Sequence, residues 1–350
     1  MRRALQLAAQ GAGHASPNPM VGAVIVHDGR IIGEGFHRCC GQGHAEVNAV
    51  ASVSEADRQL LPESTIYVTL EPCSHYGKTP PCAKLLIDCG IRRVVVGTAD
   101  PFARVQGRGI AMLREAGAEV VVGVLEAECR WLNRRFFTAH TTHKPWVQLK
   151  WAQTADGYIG LPQDDAEHPL HISNPTSLAL MHRERAMADA IVVGARTVEA
   201  DDPSLTTRLW PGKSPLRVVL DRNLSIAGKS CRLLTDGQPT LVYNALKDAQ
   251  EGSVTYVKLD TTEPGGWLRD LYSRGITSVM VEGGTCILNQ MLGSNAFNET
   301  RVEIGHRAVG HGIKGPGLPL DATCKLLAVG RNAVITCTED YVPDEVVKKV

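Results

Sequence analysis

The feature that most constrains this chain is one spaced set of residues: His44-Ala45-Glu46, then Pro72-Cys73, then Cys82. An imidazole and two thiols are zinc ligands, and three protein ligands leave zinc a fourth position for water. Glu46 stands beside His44 without being a ligand itself, where a carboxylate can carry protons to and from such a water. Eight residues, Ser74 to Pro81, separate the two cysteines, so this is not the Cys-x-x-Cys knuckle of a zinc ribbon. Any fold for the chain must bring these segments, distant in sequence, to one point.

Taken singly, the cysteines could be buried thiols and His44 a surface histidine at a helix start. The joint order favours a metal, because zinc-dependent nucleobase deaminases use this arrangement, although the commonest cytidine deaminases space their cysteines more closely. The chain opens Met1-Arg2-Arg3-Ala4-Leu5, with no apolar signal core or small-residue cleavage site. A reducing cytoplasm is therefore expected, and a Cys73–Cys82 disulfide is not. Ten cysteines in 350 residues are no disulfide framework; the eight outside the motif, the adjacent Cys39 and Cys40 among them, read as small buried hydrophobes or incidental thiols.

At 350 residues the length predicts two domains, each large enough for its own core. Lys+Arg and Asp+Glu both total 37, which leaves no global basic field for a polyanion and argues against a nucleic-acid partner. No apolar run approaches the roughly 20 residues needed to cross a bilayer, so no membrane role is expected.

The first half alternates strand and helix signals. Val21 to Val26 reads as a strand, His27-Asp28-Gly29-Arg30 as a hairpin turn with the favoured Asp-Gly pair, and Ile31 to Gly35 as the return strand. A helix runs from His44 to about Ser52, a strand over Thr65 to Leu70, a helix from Cys82 to Asp88 ending near Gly90. Arg93 to Gly97 then reads as strand, Gly109 to Glu115 as helix and Glu119 to Val122 as strand, a three-layer α/β pattern. The ligands fall at helix starts, where exposed backbone amides favour thiolates.

The polar stretch Thr138 to Pro145 lacks periodicity and ends at a proline, which predicts a linker. Domains are expected over 1–142 and 145–350. In the second, Trp146 to Trp151, Ala190 to Val193, Arg217 to Asp221 and Ser278 to Glu282 read as strands, and a glycine pair precedes a helix from Cys286 to Leu292. No Gly-x-Gly-x-x-Gly follows a strand there, so a Rossmann domain is unsupported, and Gly283-Gly284 alone suits a tight turn better than a phosphate loop.

Ser16-Pro17-Asn18-Pro19-Met20-Val21-Gly22, Gly43-His44-Ala45-Glu46 and above all Leu70-Glu71-Pro72-Cys73-Ser74-His75-Tyr76-Gly77-Lys78-Thr79-Pro80-Pro81-Cys82 resemble the bifunctional riboflavin-biosynthesis deaminase/reductase family. Ala155-Asp156-Gly157, Gly194 to Val198, Asp201 to Arg208 and Val281-Glu282-Gly283-Gly284 resemble that family's reductase half, so the likeness spans almost the whole chain. It implies a cytidine-deaminase-like domain followed by a dihydrofolate-reductase-like α/β domain. It also implies two consecutive reactions: hydrolysis of the 2-amino group of 2,5-diamino-6-(5-phosphoribosylamino)pyrimidin-4-one, then NADPH-dependent reduction of the ribosyl group to ribityl. The cofactors would be one Zn2+ per chain and NADPH, the partners small phosphoribosylaminopyrimidines, and the assembly a cytoplasmic homo-oligomer.

Carried over residue by residue, the resemblance makes His44, Cys73 and Cys82 the zinc ligands and Glu46 the catalytic acid and base. It puts Ala152, His171, Thr197, Asp201, Arg222, Gly284, Thr285, Cys286, Ile287, Leu288, Asn289 and Gln290 at the cofactor, largely through backbone in the last seven. It puts Asn18, His75, Lys78, Pro169, Arg185, Leu205, Arg208 and Glu282 at substrate. The residue types agree: Asn18 offers an amide to read ring edges, His75 and Lys78 can hold a phosphate, and the guanidinium fork of Arg208 suits phosphate oxygens. Lys150 is a candidate acid for the reduction. The chain departs from the family at Glu167 to Ser173, where His171 replaces a usual tryptophan, at Phe102 after Asp100-Pro101, and over Gly305 to Gly312. Two rival readings are a nucleic-acid base deaminase and a deaminase whose second half is a binding or dimerisation module without turnover.

Overall fold

A computed structural model describes residues 1–75, 80–102, 106–161, 170–318 and 323–338; Lys78 and Pro169 lie outside the described residues. The chain divides into two compact units, Met1–Thr142 and one running on from His143.

The first unit has strands β1 (Gly22–His27), β2 (Arg30–Phe36), β3 (Thr65–Leu70), β4 (Arg93–Thr98) and β5 (Glu119–Val122). Its helices are α1 (Arg2–Ala8), α2 (Ala45–Ala51), α3 (Cys82–Asp88), α4 (Arg108–Glu115), α5 (Glu126–Leu132) and α6 (Arg134–Thr142). The strands pair in the order β2-β1-β3-β4-β5, antiparallel through the hairpin and parallel from β3 onward. At the hairpin tip Asp28 (φ 46°) and Gly29 (φ 76°) both take the left-handed conformation that a two-residue type I′ turn requires. Alternation along β1 builds two layers: Ala23 and Ile25 join the core with α2 and α3, while Val24 packs with Ala4 and Leu7 of α1. A fully buried side chain such as Ile25 or Leu86 contributes about 2 kcal/mol by leaving water. A Cβ on Gly35 would lie 2.3 Å from the Ala49 nitrogen and 2.5 Å from the Ala45 oxygen, so glycine lets α2 seat directly on β2. That contact fixes the helix that carries His44 and Glu46.

The expected linker is corrected here: α6 runs through Thr142, leaving His143 to Pro145 outside regular structure. Phe136, Phe137 and Ala139 are buried, and the Thr141 and Thr142 hydroxyls bond back to the Phe137 and Thr138 carbonyls at 2.9 and 2.8 Å. The apolar face that seats this helix is short, and the threonine hydroxyls are satisfied by carbonyls of the preceding turn, so no clear period shows in the sequence.

The second unit contains strands β6 (Trp146–Gln153), β7 (Tyr158–Gly160), β8 (Ala190–Gly194), β9 (Leu216–Leu220), β10 (Thr240–Asn244), β11 (Ala249–Glu251), β12 (Val254–Lys258), β13 (Ser278–Val281), β14 (Glu299–Ile304), β15 (Ile313–Lys314), β16 (Thr323–Val329) and β17 (Asn332–Thr338). Helices α7 (Pro175–Met187), α8 (Ala195–Asp201), α9 (Arg232–Thr235), α10 (Pro264–Ser273) and α11 (Thr285–Gly293) accompany them. Among the described residues ten strands form one sheet in the order β11-β12-β10-β9-β8-β13-β6-β14-β17-β16, parallel from β12 to β14. Ala190 and Val192 of β8 enter one core and Ile191 and Val193 another, so the strand is apolar on both faces, as a covered parallel strand must be. Cys324 and Cys337, register partners on β16 and β17, form a disulfide, which corrects the reading of these two as incidental thiols. Strand pairing put them opposite each other, and spacing alone gave no sign of it.

Candidate active sites

The candidate metal centre is assembled at helix starts. His44 is the N-cap of α2, Cys82 is the first residue of α3, and Cys73 follows the end of β3. Asn48, one turn into α2, donates to the Phe36 and Gly43 carbonyls at 2.8 and 3.1 Å and so fixes the approach to His44. His44 Nδ1 lies 3.5 Å from Cys73 Sγ and 3.3 Å from Cys82 Sγ, and the three ligand atoms fall within 4.8 Å of one another. One imidazole nitrogen and two sulfurs on one point, with a carboxyl beside them, fit a zinc ion that keeps a place for water.

The electrostatics suit that chemistry. A hydrogen bond from the Cys82 thiol, then one with His44, holds Cys73 down to about 4, while the same bond and burial push Cys82 up. Glu46, on the first turn of α2, is buried, and burial followed by the Cys73 charge pushes its carboxyl up to about 7. A carboxyl poised there can take and return protons near neutrality. Burial likewise pushes Asp100 up to about 6. Phe102, the departure from the family pattern, packs its ring edge-on against His140 at 5.1 Å.

Asn18 reaches the same site, held by two residues that sequence reading missed. The buried His37 lies edge-on to His44 at 5.6 Å, with Nδ1 3.2 Å from the Gly43 carbonyl and Nε2 3.2 Å from Asn18 Nδ2. Burial lowers the pKa of His37, so the neutral ring donates from Nδ1 and accepts the Asn18 amide at Nε2, leaving Asn18 Oδ1 for a ligand. Asn133 grips Met20 from both sides, accepting its N–H and donating to its carbonyl, each at 2.8 Å. His75 is exposed.

In the second unit the cofactor candidates Ala152, Thr197, Arg222 and Gly284 gather at the carboxyl ends of β6, β8, β9 and β13. Connections from β8 and β13 leave in opposite directions across the sheet, the switch point at which open α/β sheets bind ligands. There Gly284, the N-cap of α11, donates its N–H to Thr197 Oγ1 at 3.1 Å. A Cβ on Gly283 would stand 3.3 Å from the Gly194 nitrogen, so the two turns lie side by side. Thr285 follows in the first turn and Cys286 is exposed, while Ile287 and Leu288 point into the core and have only backbone to offer. Asn289 is exposed, and Gln290 is drawn away, its amide donating to the Thr261 and Thr262 carbonyls. Asp201 and His171 are exposed.

The substrate candidates form a linked group. Arg185 donates from Nε and Nη2 to the two oxygens of Glu282 at 2.9 and 2.6 Å, with side chains 9% and 10% exposed. Burial alone would raise Glu282, but the Arg185 charge and hydrogen bonds overcome it and hold the carboxyl below its ordinary value. The Lys150 charge acts in the same direction. His182, absent from the sequence reading, is buried and accepts the Arg208 backbone N–H at 3.0 Å; burial, then Arg185 and Arg208, lowers its pKa. Arg208 Nη1 also donates to Thr206 Oγ1 at 3.1 Å and to Ser204. Leu205 takes a left-handed backbone (φ 53°) and buries its side chain in the core, so its offer to a ligand is backbone.

Residues 1–98 match the zinc-binding region of cytidine and deoxycytidylate deaminases, and residues 145–338 match the RibD C-terminal domain. The chain is 38% identical to a riboflavin biosynthesis protein RibD of Aquifex aeolicus, covering 98% of this chain and 96% of that one. It is 34% identical to the Escherichia coli RibD, covering 91% of each. A solved diaminohydroxyphosphoribosylaminopyrimidine deaminase/5-amino-6-(5-phosphoribosylamino)uracil reductase from Thermotoga maritima superposes with a TM-score of 0.87 at 36% identity, covering 97% of both chains. Acinetobacter baumannii RibD gives 0.83 at 30% identity, with 96% of this chain and 97% of that one covered. The chain belongs to the bifunctional RibD family of riboflavin biosynthesis. As a RibD-family protein it is an enzyme twice over, a zinc-dependent aminohydrolase and an NADPH-dependent reductase, acting on small phosphoribosyl pyrimidines. The departures around His171, Phe102 and Gly305 to Gly312 therefore sit within a RibD-family chain, and the reading as a base deaminase of nucleic acid loses its support.

Proposed function

We propose that the two reactions divide between the two units, deamination over residues 1–142 and reduction over residues 145–350, each run by the residues gathered above. The observation that carries the first assignment is the convergence of His44, Cys73 and Cys82 beside a buried Glu46 whose carboxyl is poised near 7. Zinc, when bound, would make the attacking water easier to deprotonate. Glu46 would take the water's proton, pass one to the ring nitrogen and deliver a second to the leaving amine, so that water adds at the amino-bearing carbon and ammonia departs. Asn18 Oδ1 would accept from the pyrimidine edge, with His75 and Lys78 toward the substrate phosphate.

In the second unit NADPH would supply the hydride. This chain's residues would align the sugar: Glu282, oriented by Arg185, toward the ribosyl hydroxyls, Arg208 toward the phosphate, and Lys150 as proton donor to the opening ring. The test is a coupled assay with the diaminopyrimidine substrate and NADPH. Ammonia release followed by stoichiometric NADPH oxidation is expected; ammonia without any NADPH oxidation would make the second half a binding module.

The balanced charge supports a small-molecule rather than a nucleic-acid partner. Exposed Leu326 and Leu327 on the edge strand β16 support a homo-oligomer, which light scattering would reveal. Unpaired Cys39 and Cys40, adjacent to each other, support a reducing cytoplasm, and the Cys324–Cys337 bond is the feature that does not fit. Thiol counting on protein from cells lysed under an alkylating agent decides between them.

A further inference from the structure

Glu71, one residue beyond β3 and two before the ligand Cys73, is buried, and among the described residues no cation pairs with it. Its carboxylate is satisfied instead by four backbone amides. Oε1 accepts from Gly109 N at 2.9 Å and Ile110 N at 3.3 Å; Oε2 accepts from Gly107 N at 2.9 Å and Asp100 N at 3.2 Å. These donors include the orphan N–H groups at the start of α4, a helix whose own N-cap Gly107 supplies no side-chain cap. A carboxylate from the segment that follows β3 does the capping, in charge-assisted bonds stronger than neutral ones.

The consequence reaches the metal ligand through the backbone. A Cβ on Gly109 would stand 1.9 Å from the Pro72 carbonyl oxygen, so the helix start is pressed against the residue just before Cys73. On its other side Cys73 is held by α3: its sulfur accepts the Cys82 N–H at 3.2 Å and its carbonyl accepts the Ala83 N–H at 3.1 Å. The bond to Asp100 N ties in the segment carrying Asp100 and Phe102. One buried carboxylate thus joins the segment carrying a zinc ligand to a neighbouring loop and a helix start.

We propose that Glu71 is a positioning residue of the deamination reaction, clamping Cys73 in its ligand geometry and holding the Asp100–Phe102 segment against it. This rests on the zinc-deaminase reading above. The test uses the full chain with cobalt in place of zinc, because the visible bands of cobalt report thiolate geometry whether or not turnover occurs. Glu71→Gln presents an amide N–H2 to backbone N–H donors. It should shift the cobalt bands, and it should lower both metal affinity, measured by chelator competition, and kcat for ammonia release by about 10- to 100-fold, the scale for groups that orient ligands. The KM for the diaminopyrimidine should change little, and NADPH-dependent reduction by the same chain should be unchanged. Glu71→Asp, which keeps the charge on a shorter arm, should recover part of the loss. A folded Glu71→Gln chain with wild-type cobalt bands and kcat overturns the proposal. If that variant does not fold, Gly109→Ala displaces Pro72 while leaving the carboxylate, and unshifted cobalt bands there overturn it equally. A wild-type chain that binds neither cobalt nor zinc removes the deaminase reading itself, a failure visible before any variant is made.

Discussion

On the proposed assignment the two units put their chemistry in different places, and that decides how each responds to change. In the first, the reacting groups are side chains on three short segments: His44 and Glu46 on one helix start, Cys73 after a strand, Cys82 on a second helix start. In the second, much of the site is backbone at strand ends, such as the Gly284 N–H on Thr197 Oγ1, together with one ion pair whose partners lie 97 residues apart in sequence. A side-chain centre fails when one side chain is removed. A site of strand ends and paired charges fails through stability and binding.

The largest effect expected is at the metal. Cys82→Ser should lower zinc affinity by more than about 100-fold, beyond what losing an outer hydrogen-bond partner costs, and should abolish ammonia release while NADPH oxidation on the deaminated substrate persists. Elemental analysis after dialysis checks it, and undiminished zinc would contradict the ligand assignment. Next comes Glu282→Ala, which strands the buried Arg185 charge. It should cost the second unit about 3–5 kcal/mol and stop reduction, leaving ammonia release intact; denaturant melts together with both assays check it. Arg208→Ala should be milder, raising KM for the phosphorylated substrate about tenfold or more with kcat nearly kept, because a phosphate clamp acts in ground and transition states alike.

The smallest effect is in pH. Glu282 is held below its ordinary value of 4.5, so the folded unit binds this proton less readily than the unfolded chain. Its contribution to stability is then complete above about pH 4.5 and is lost as pH falls through the lower folded value. Acid melts of the second unit should show this slope, and Glu282→Gln should flatten it.

How much was legible in the sequence follows the same division. The convergence of His44, Cys73 and Cys82 beside Glu46 could be read because their residue types and order are those of a zinc site. The hairpin could be read because Asp28 and Gly29 must both take positive φ. Helix α6 was mistaken for a linker because its apolar face is only Phe136, Phe137 and Ala139, too short for a period to show. Strands β10, β14, β16 and β17 were among those that went unread: β14 pairs with β6, remote in sequence, and the Cys324–Cys337 pair depends on the register of the β16–β17 hairpin, which spacing alone does not show. His37, Asn133, Glu71 and His182 were missed for one physical reason. Each works through hydrogen bonds that include partners 19 to 113 residues away, such as His37 to Asn18 and Asn133 to Met20; Glu71 stands in the Leu70-Glu71-Pro72-Cys73 run, but that run does not show its bonds to Gly107, Gly109 and Ile110.

The central claim, two chemistries in one chain with separate residues, is met most directly by Glu46→Gln in the full chain. Ammonia release from the diaminopyrimidine and NADPH oxidation on the separately supplied deaminated product would be measured on the same preparation. Deamination should fall by about 100- to 10,000-fold, the scale of a positioned acid and base, with zinc content and reduction unchanged. Deamination at the wild-type rate, or a parallel fall in both activities, would contradict the account.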